Sequence, residues 1–239
     1  MIVDDPVSSL DSEVFMGVST YLWDQVLTAG HICQLFLMTH NFELFRQWDI
    51  QLQGAKKYVK GCTYEILSRH RPVKGEIIRE PVIKNWPPNR AVRKKMRSNY
   101  HHGFMLLEEA KRSLDQKDNM ETRLDAQLLF PNVARRVLET FLAFKIPSMV
   151  GNFDGSMREA GNLLERQGYQ GANALRLRTT RFLHALSHDD TPESGAVIQP
   201  DETRAALAAV FEFMNALDSE HMDGLCDVLG LDKATLLTS

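Results

Sequence analysis

At 239 residues, with 44% hydrophobic and 25% charged side chains, the chain is long enough for one large or two small globular domains. No apolar run approaches the ~20 residues that span a bilayer, and the N-terminus lacks a basic-then-apolar leader pattern, so no membrane association is expected. The net charge of −3 gives no global pull toward nucleic acid, and three scattered cysteines (Cys33, Cys62, Cys226) fit reduced thiols in a cytoplasm rather than disulfides or a zinc site.

The chain begins Ile2-Val3-Asp4-Asp5-Pro6-Val7-Ser8-Ser9-Leu10-Asp11, two β-branched residues running into two carboxylates and a short turn. Acids at the tip of an apolar strand are what hold Mg²⁺ beside a triphosphate. Asp4 is expected at the C-terminal end of a buried strand, reaching the ion directly or through water, with Asp5 facing the attacking water. Ser12 to Ala29 reads as a helix closed by Gly30. Cys33 to Met38 is an apolar run of strand length that ends in Thr39-His40-Asn41. Strand, helix and strand predict a βαβ unit with its site at the carboxyl edge. Asn41 can cap a helix to about Leu52, and Tyr58 to Leu67 alternates weakly, as one or two strands closing the same sheet. A phosphate-cradling G-x-x-x-x-G-K-[ST] is absent from the sequence, so Mg-ATP is expected as a cofactor only with a complementing ATPase half.

From Arg69 to Asn89 the composition shifts to Pro, Arg, Lys and Gly, which reads as a boundary. Residues 1–68 are expected to form the first domain, 69–105 a linker and connecting helix, and 106–239 a helical domain. Helices are expected over about Arg90–Asp115, unbroken or interrupted near His101-His102-Gly103, and Glu121–Lys145, with Pro131 as a kink or a new first turn. Others are expected over Gly155–Gln167, Ala172–Ser187 and Asp201–Leu217, with a short one near the terminus. The basic run Arg90, Arg93, Lys94, Lys95 and Arg97 is either a phosphate-backbone contact or a solvated helix face.

Two helix faces carry chemistry. Val133, Val137, Leu138, Phe141 and Phe144 share the apolar side of one helix, opposite Asn132, Arg135, Arg136 and Glu139. Arg135 and Glu139 are four apart and can touch; alone, such a pair is worth a few tenths of a kcal/mol. Later, Leu175, Thr179, Phe182 and Leu186 form a core stripe, with Arg181, His184 and His188 on the opposite side. An imidazole near neutrality can take a proton from a ribose 2′-hydroxyl or give one to a leaving 5′-oxygen. An arginine fork can stabilise charge on the scissile phosphate.

These motifs carry a resemblance. Asp4 to Asp11 resembles the Walker B strand and D-loop of ABC-type ATPases, with Asp5 where most have a catalytic Glu. Ser9 and Asp11 fall in the D-loop, and His40 resembles the switch His that contacts the γ-phosphate. Arg181 and His188, with six residues between them, resemble the R-x(4–6)-H motif of HEPN ribonucleases. In this order, the set resembles the C-terminal part of PrrC/RloC-type anticodon nucleases and the broader AAA_13 group of bacterial defence ATPases. The implied fold is mainly α: a truncated α/β ATPase remnant followed by a HEPN-like helical bundle. The resemblance implies metal-independent RNA cleavage, with tRNA as substrate, by Arg135, Glu139 and His188, with Arg181 from the R-x(6)-H motif; His184 joins these catalytic candidates from its place on the same helix face. Arg93, Lys94, Arg97 and Arg136 are the expected RNA contacts. A homodimer is implied, together with a separate ATPase partner or a front half not in this chain. His184 stands where relatives often have Asn, and the ABC signature segment is missing. The alternative expectation is a non-catalytic assembly subunit that completes a split ATPase and dimerises through its helices.

Overall fold

The computed structural model describes residues 1–7, 12–30, 32–73, 76–87, 89–184 and 200–238. They fall into two compact units, Met1–Arg97 and Ser98–Ser239, and the chain is mainly helical.

In the first unit, β1 (Ile2–Asp4) pairs in parallel with β2 (Phe36–Met38), Val3 opposite Leu37. Between them run α1 (Ser12–Tyr21) and a π-helical turn, Leu22–Leu27, which stop before Gly30 at φ +77°. The expected strand–helix–strand order is therefore present. Val3, Leu35 and Leu37 pack on a small core of Val7, Phe15, Leu22, Leu44 and Trp48. Trp48 donates to buried Ser19 at 3.2 Å and meets Trp23 edge-on. The strand is not buried as expected, because Ile2, Phe36 and Met38 are 70%, 53% and 42% exposed. Side chains alternate across a strand, and among the described residues this two-stranded sheet is covered on one face only.

Asn41 caps α2 (Phe42–Gly54) by accepting from the amides of Glu43 and Leu44. Then β3 (Tyr64–Val73) and β4 (Glu76–Asn85) form an antiparallel hairpin, with Ile66 opposite Ile83, in a sheet of its own. Residues 69–73 and 76–85, expected in the linker, therefore belong to a ribbon that starts at Tyr64. The β-branched residues Ile66, Ile77, Ile78, Val82 and Ile83 favour extension, and Pro72 and Pro81 are tolerated because both strands are edges. The short α3 (Arg90–Lys95) ends at Met96. Ser98 then caps α4 (Asn99–Gln116), its Oγ accepting from the His101 amide at 3.2 Å. The helical stretch expected from Arg90 breaks at this cap and not at Gly103, since the hydroxyl satisfies an amide that would otherwise lack a partner.

The second unit is built around α8 (Thr203–Leu217), whose Ala206, Leu207, Val210, Phe211, Phe213 and Met214 are all buried. A helix apolar on every side must be surrounded. α4, α5 (Met120–Lys145), α6 (Phe153–Arg166), α7 (Ala172–His184), α9 (Ser219–Leu229) and α10 (Lys233–Leu237) all pack against it. α5 starts on a capping box of Asn119 and Thr122 and continues through Pro131. Val137, Leu138 and Phe141 are buried as expected, whereas Phe144 is 81% exposed near the helix end. On α7, Leu175, Thr179 and Phe182 are buried as expected; Leu186 lies outside the described residues.

Candidate functional site

The first constellation sits at the carboxyl ends of β1 and β2. The Asp5 amide donates to the Met38 carbonyl at 2.8 Å, extending the pairing one residue past the strands. Asp5 then turns at φ +42°, a left-handed conformation that only Gly, Asn and Asp adopt at modest cost. Its carboxylate is held from both sides. The Thr39 hydroxyl donates to Oδ1 at 3.0 Å, and His40 Nδ1 contacts Oδ2. Thr39 in turn accepts from the Asn41 amide at 3.0 Å, and Asn41 caps α2. The triplet after β2 thus fixes the Asp5 carboxylate through its first two residues and starts a helix with the third. Asp4 points away from the core and is exposed, as is most of the His40 ring. The fold brings Asp5 and His40 together from positions far apart in the chain. Ser9 and Asp11 lie outside the described residues. Thr39 is a contact that the sequence showed only as part of a polar triplet.

The second constellation lies in the helical unit. Arg135 and Glu139 pair along α5, Nε to Oε1 at 2.9 Å. The guanidinium carbon of Arg135 also stands 5.0 Å from the centre of the Phe153 ring, on the first residue of α6. The fork is therefore held on one side by a carboxylate and on another by an aromatic face, which orients a planar cation without burying it. Asp154, the next residue, opens a cleft of about 300 Å³ between α6 and α7, also lined by Met157, Arg158, Arg176 and Thr180. Two arginines, an acid and a hydroxyl line this shallow, open cleft, where cations outnumber acids by one. Arg176 comes close enough to α6 that a Cβ on Gly161 would stand 2.6 Å from its Cδ, so a larger residue there would push the Arg176 side chain out of its place over α6. Phe153, Arg158 and Arg176 were not singled out from sequence, because a ring seat and a shared cleft between helices leave no spacing pattern.

Arg136 is exposed one residue away from the pair, and Arg181 is exposed on α7. The side chain of His184 and all of His188 lie outside the described residues. Arg93, expected at RNA, donates twice to the buried carboxylate of Asp49, at 3.2 Å each. Arg97 is exposed and Lys94 partly so.

A third polar group was assigned no role from sequence. The Tyr100 hydroxyl and His221 Nε2 are 2.7 Å apart, the Phe141 ring faces His221, and Asp218 pairs with Lys145 beside them. Burial lowers the His221 pKa below the usual 6.5, outweighing the attraction of Asp218, with Lys145 adding to the decrease. Burial first, and then the Asp218 charge, raises that of Tyr100. Because the folded pKa of His221 is depressed, the unfolded chain takes up its proton first as pH falls. Stability from this ring is complete above about pH 6.5 and declines below it until the folded pKa is passed. Urea midpoints taken from about pH 7.5 down to 5 should fall in that window, and His221→Gln should flatten the change; an equal fall in the variant would assign it to other groups.

A family model described as AAA domain, AAA_13, matches residues 1–214. No curated protein and no solved structure matches the chain.

Proposed function

The chain belongs to the AAA_13 family, and from that premise we propose that it is the RNA-cleaving, HEPN-type effector part of an ATPase-coupled bacterial defence or stress system, acting on tRNA. The observation that carries this reading is the Arg135 fork, paired with Glu139 and seated on Phe153 beside the cleft of Arg158 and Arg176. In the proposed reaction the ribose 2′-oxygen attacks the adjacent phosphorus and the bond from phosphorus to the 5′-oxygen breaks. The 2′-hydroxyl loses a proton and the departing 5′-oxygen gains one; His188 makes one of these two transfers and solvent water the other, leaving a 2′,3′-cyclic phosphate and a 5′-hydroxyl. Arg135, with Arg181, holds the phosphate as its charge grows, and Glu139 keeps the Arg135 fork in plane. The test is tRNA incubated with the purified chain in EDTA, with product 3′ ends assayed for cyclic phosphate. Intact tRNA, or cleavage only on adding Mg²⁺, would overturn it. A homodimer belongs to this proposal, supported by Met120, Leu124 and Leu128, 57%, 50% and 69% exposed at four-residue spacing along α5.

A second reading, a non-catalytic subunit completing a split ATPase, is favoured by the uncovered β1–β2 face of Ile2, Phe36 and Met38. Asp4 at a strand tip is the single carboxylate that Mg²⁺ commonly takes together with phosphate oxygens. In this reading Asp5 and His40 would face the γ-phosphate. Asp4, Asp5 and His40 would hold the ion and the terminal phosphate, and the sequence carries no G-x-x-x-x-G-K-[ST] loop for the rest of the nucleotide. When bound, Mg-ATP would supply phosphoryl-transfer energy; the chain's part is to orient that end through the Asp5–Thr39–His40 contacts. The purified chain alone is expected to show no ATP turnover above a no-enzyme blank in a phosphate-release assay, and turnover abolished by Asp5→Asn would overturn this.

A further inference from the structure

Residues 54–63 hold three lysines and residues 86–97 five Lys or Arg, eight cations without one Asp or Glu, in a chain whose acids outnumber its Lys and Arg by 31 to 28. The two stretches flank the hairpin in sequence, and the structure draws them together at its root. The Trp86 amide donates to the Thr63 carbonyl at 2.9 Å, and the Thr63 hydroxyl to the Trp86 carbonyl at 2.6 Å. The segment that carries α3 is then tied to α2 at two points. Arg93 donates twice to Asp49, which is 3% exposed, and Arg46 donates to the Arg97 carbonyl at 2.9 Å. The segment from Arg93 to Arg97 thus crosses α2 from Asp49 back to Arg46.

In the turn that follows α2 the amides of Tyr58 and Val59 both donate to the Ala55 carbonyl, at 2.8 and 2.9 Å. Lys56, Lys57 and Lys60 are exposed, and Tyr58 between them is 88% exposed. An aromatic ring left in water among lysines lacks the covering contacts that normally retain it. Stacked bases cover such a ring, and their phosphates neutralise the adjoining cations. Duplexes keep their bases stacked on one another and offer the ring no face, so the pattern favours unpaired nucleotides.

We infer that the hairpin root is a binding surface for a single-stranded polynucleotide, with a base stacked on Tyr58 and the backbone held by Lys56, Lys57, Lys60, Arg90 and Arg97. The surface stands on unit-one residues alone and does not depend on the cleavage reading. Arg93 has a positioning part, since its charge is committed to Asp49.

The test is fluorescence anisotropy of the full chain with a labelled oligouridylate of about a dozen nucleotides, an oligodeoxythymidylate of equal length, and a duplex. Tyr58→Ala is expected to weaken single-strand binding about tenfold or more, with Tyr58→Phe close to wild type. Lys56→Ala with Lys57→Ala and Lys60→Ala should reduce the slope of log affinity against log salt by about 2. Tighter oligouridylate than oligodeoxythymidylate binding would identify RNA as the source; equal binding would mean a surface blind to the 2′-hydroxyl. Both outcomes support the surface. Absence of binding at low salt, a duplex preferred to either single strand, or unchanged affinity in Tyr58→Ala would overturn it. All variants lie on exposed side chains, and matching circular dichroism spectra would show that the fold is intact.

Discussion

His188→Ala should abolish tRNA cleavage, lowering the rate by a factor of about 10²–10⁴, the usual cost of losing a general acid or base. Arg135→Lys should cost about 10²-fold or more in the same assay, since an ammonium cannot reproduce the two-donor fork that Phe153 and Glu139 orient. Glu139→Gln should weaken cutting without ending it, because an amide oxygen can still accept from Arg135 Nε. The side chains of Arg135 and Glu139 are 32% and 45% exposed, so these two variants should unfold at the wild-type temperature. Cleavage that survives both His188→Ala and Arg135→Lys undiminished would reduce the pair to an ordinary i,i+4 contact on a helix surface.

Asp115→Ala should destabilise the helical unit by about 3 kcal/mol, lowering its melting temperature by roughly 10 °C. The Lys111 side chain is 2% exposed on α4, and its ammonium donates to Asp115 Oδ2 at 2.9 Å. Arg204 Nε donates to the other oxygen at 2.7 Å. Burial works to raise the Asp115 pKa, but the hydrogen bonds from Lys111 and Arg204 prevail and hold it below the usual range. Removing the carboxylate leaves a buried ammonium without its counter-charge, which is where the cost arises. Lys111→Met should behave differently. It removes the buried charge, fills most of the same volume and leaves Asp115 with Arg204, so its effect should lie within about 1 kcal/mol of wild type. Thermal melts of the two variants decide it. Equal losses would mean that packing, and not the unpaired charge, sets the penalty.

Much of the fold was legible locally. β-branched residues ending in acids placed β1, and Asn41 announced the start of α2. The apolar spacing of α5 and α7 located their buried faces, because helical periodicity is a property of the chain itself. The pairing of Arg135 with Glu139 followed from four-residue spacing for the same reason. Family membership was readable from the order of those motifs and agrees with the AAA_13 match.

Other features required the tertiary structure. Prolines and arginines made residues 69–85 look like a linker, yet cross-strand partners decide whether β-branched residues form a ribbon. The β1 strand has the composition of a buried element but is covered on one face, since coverage depends on which layers surround it. The grip of Thr39 and His40 on Asp5, the Phe153 seat under Arg135 and the clamp of Arg93 on Asp49 each join residues on different elements. Sequence spacing specifies neighbours along one helix or strand, whereas contacts between elements are set by packing angle and register, which arise only when the whole unit folds.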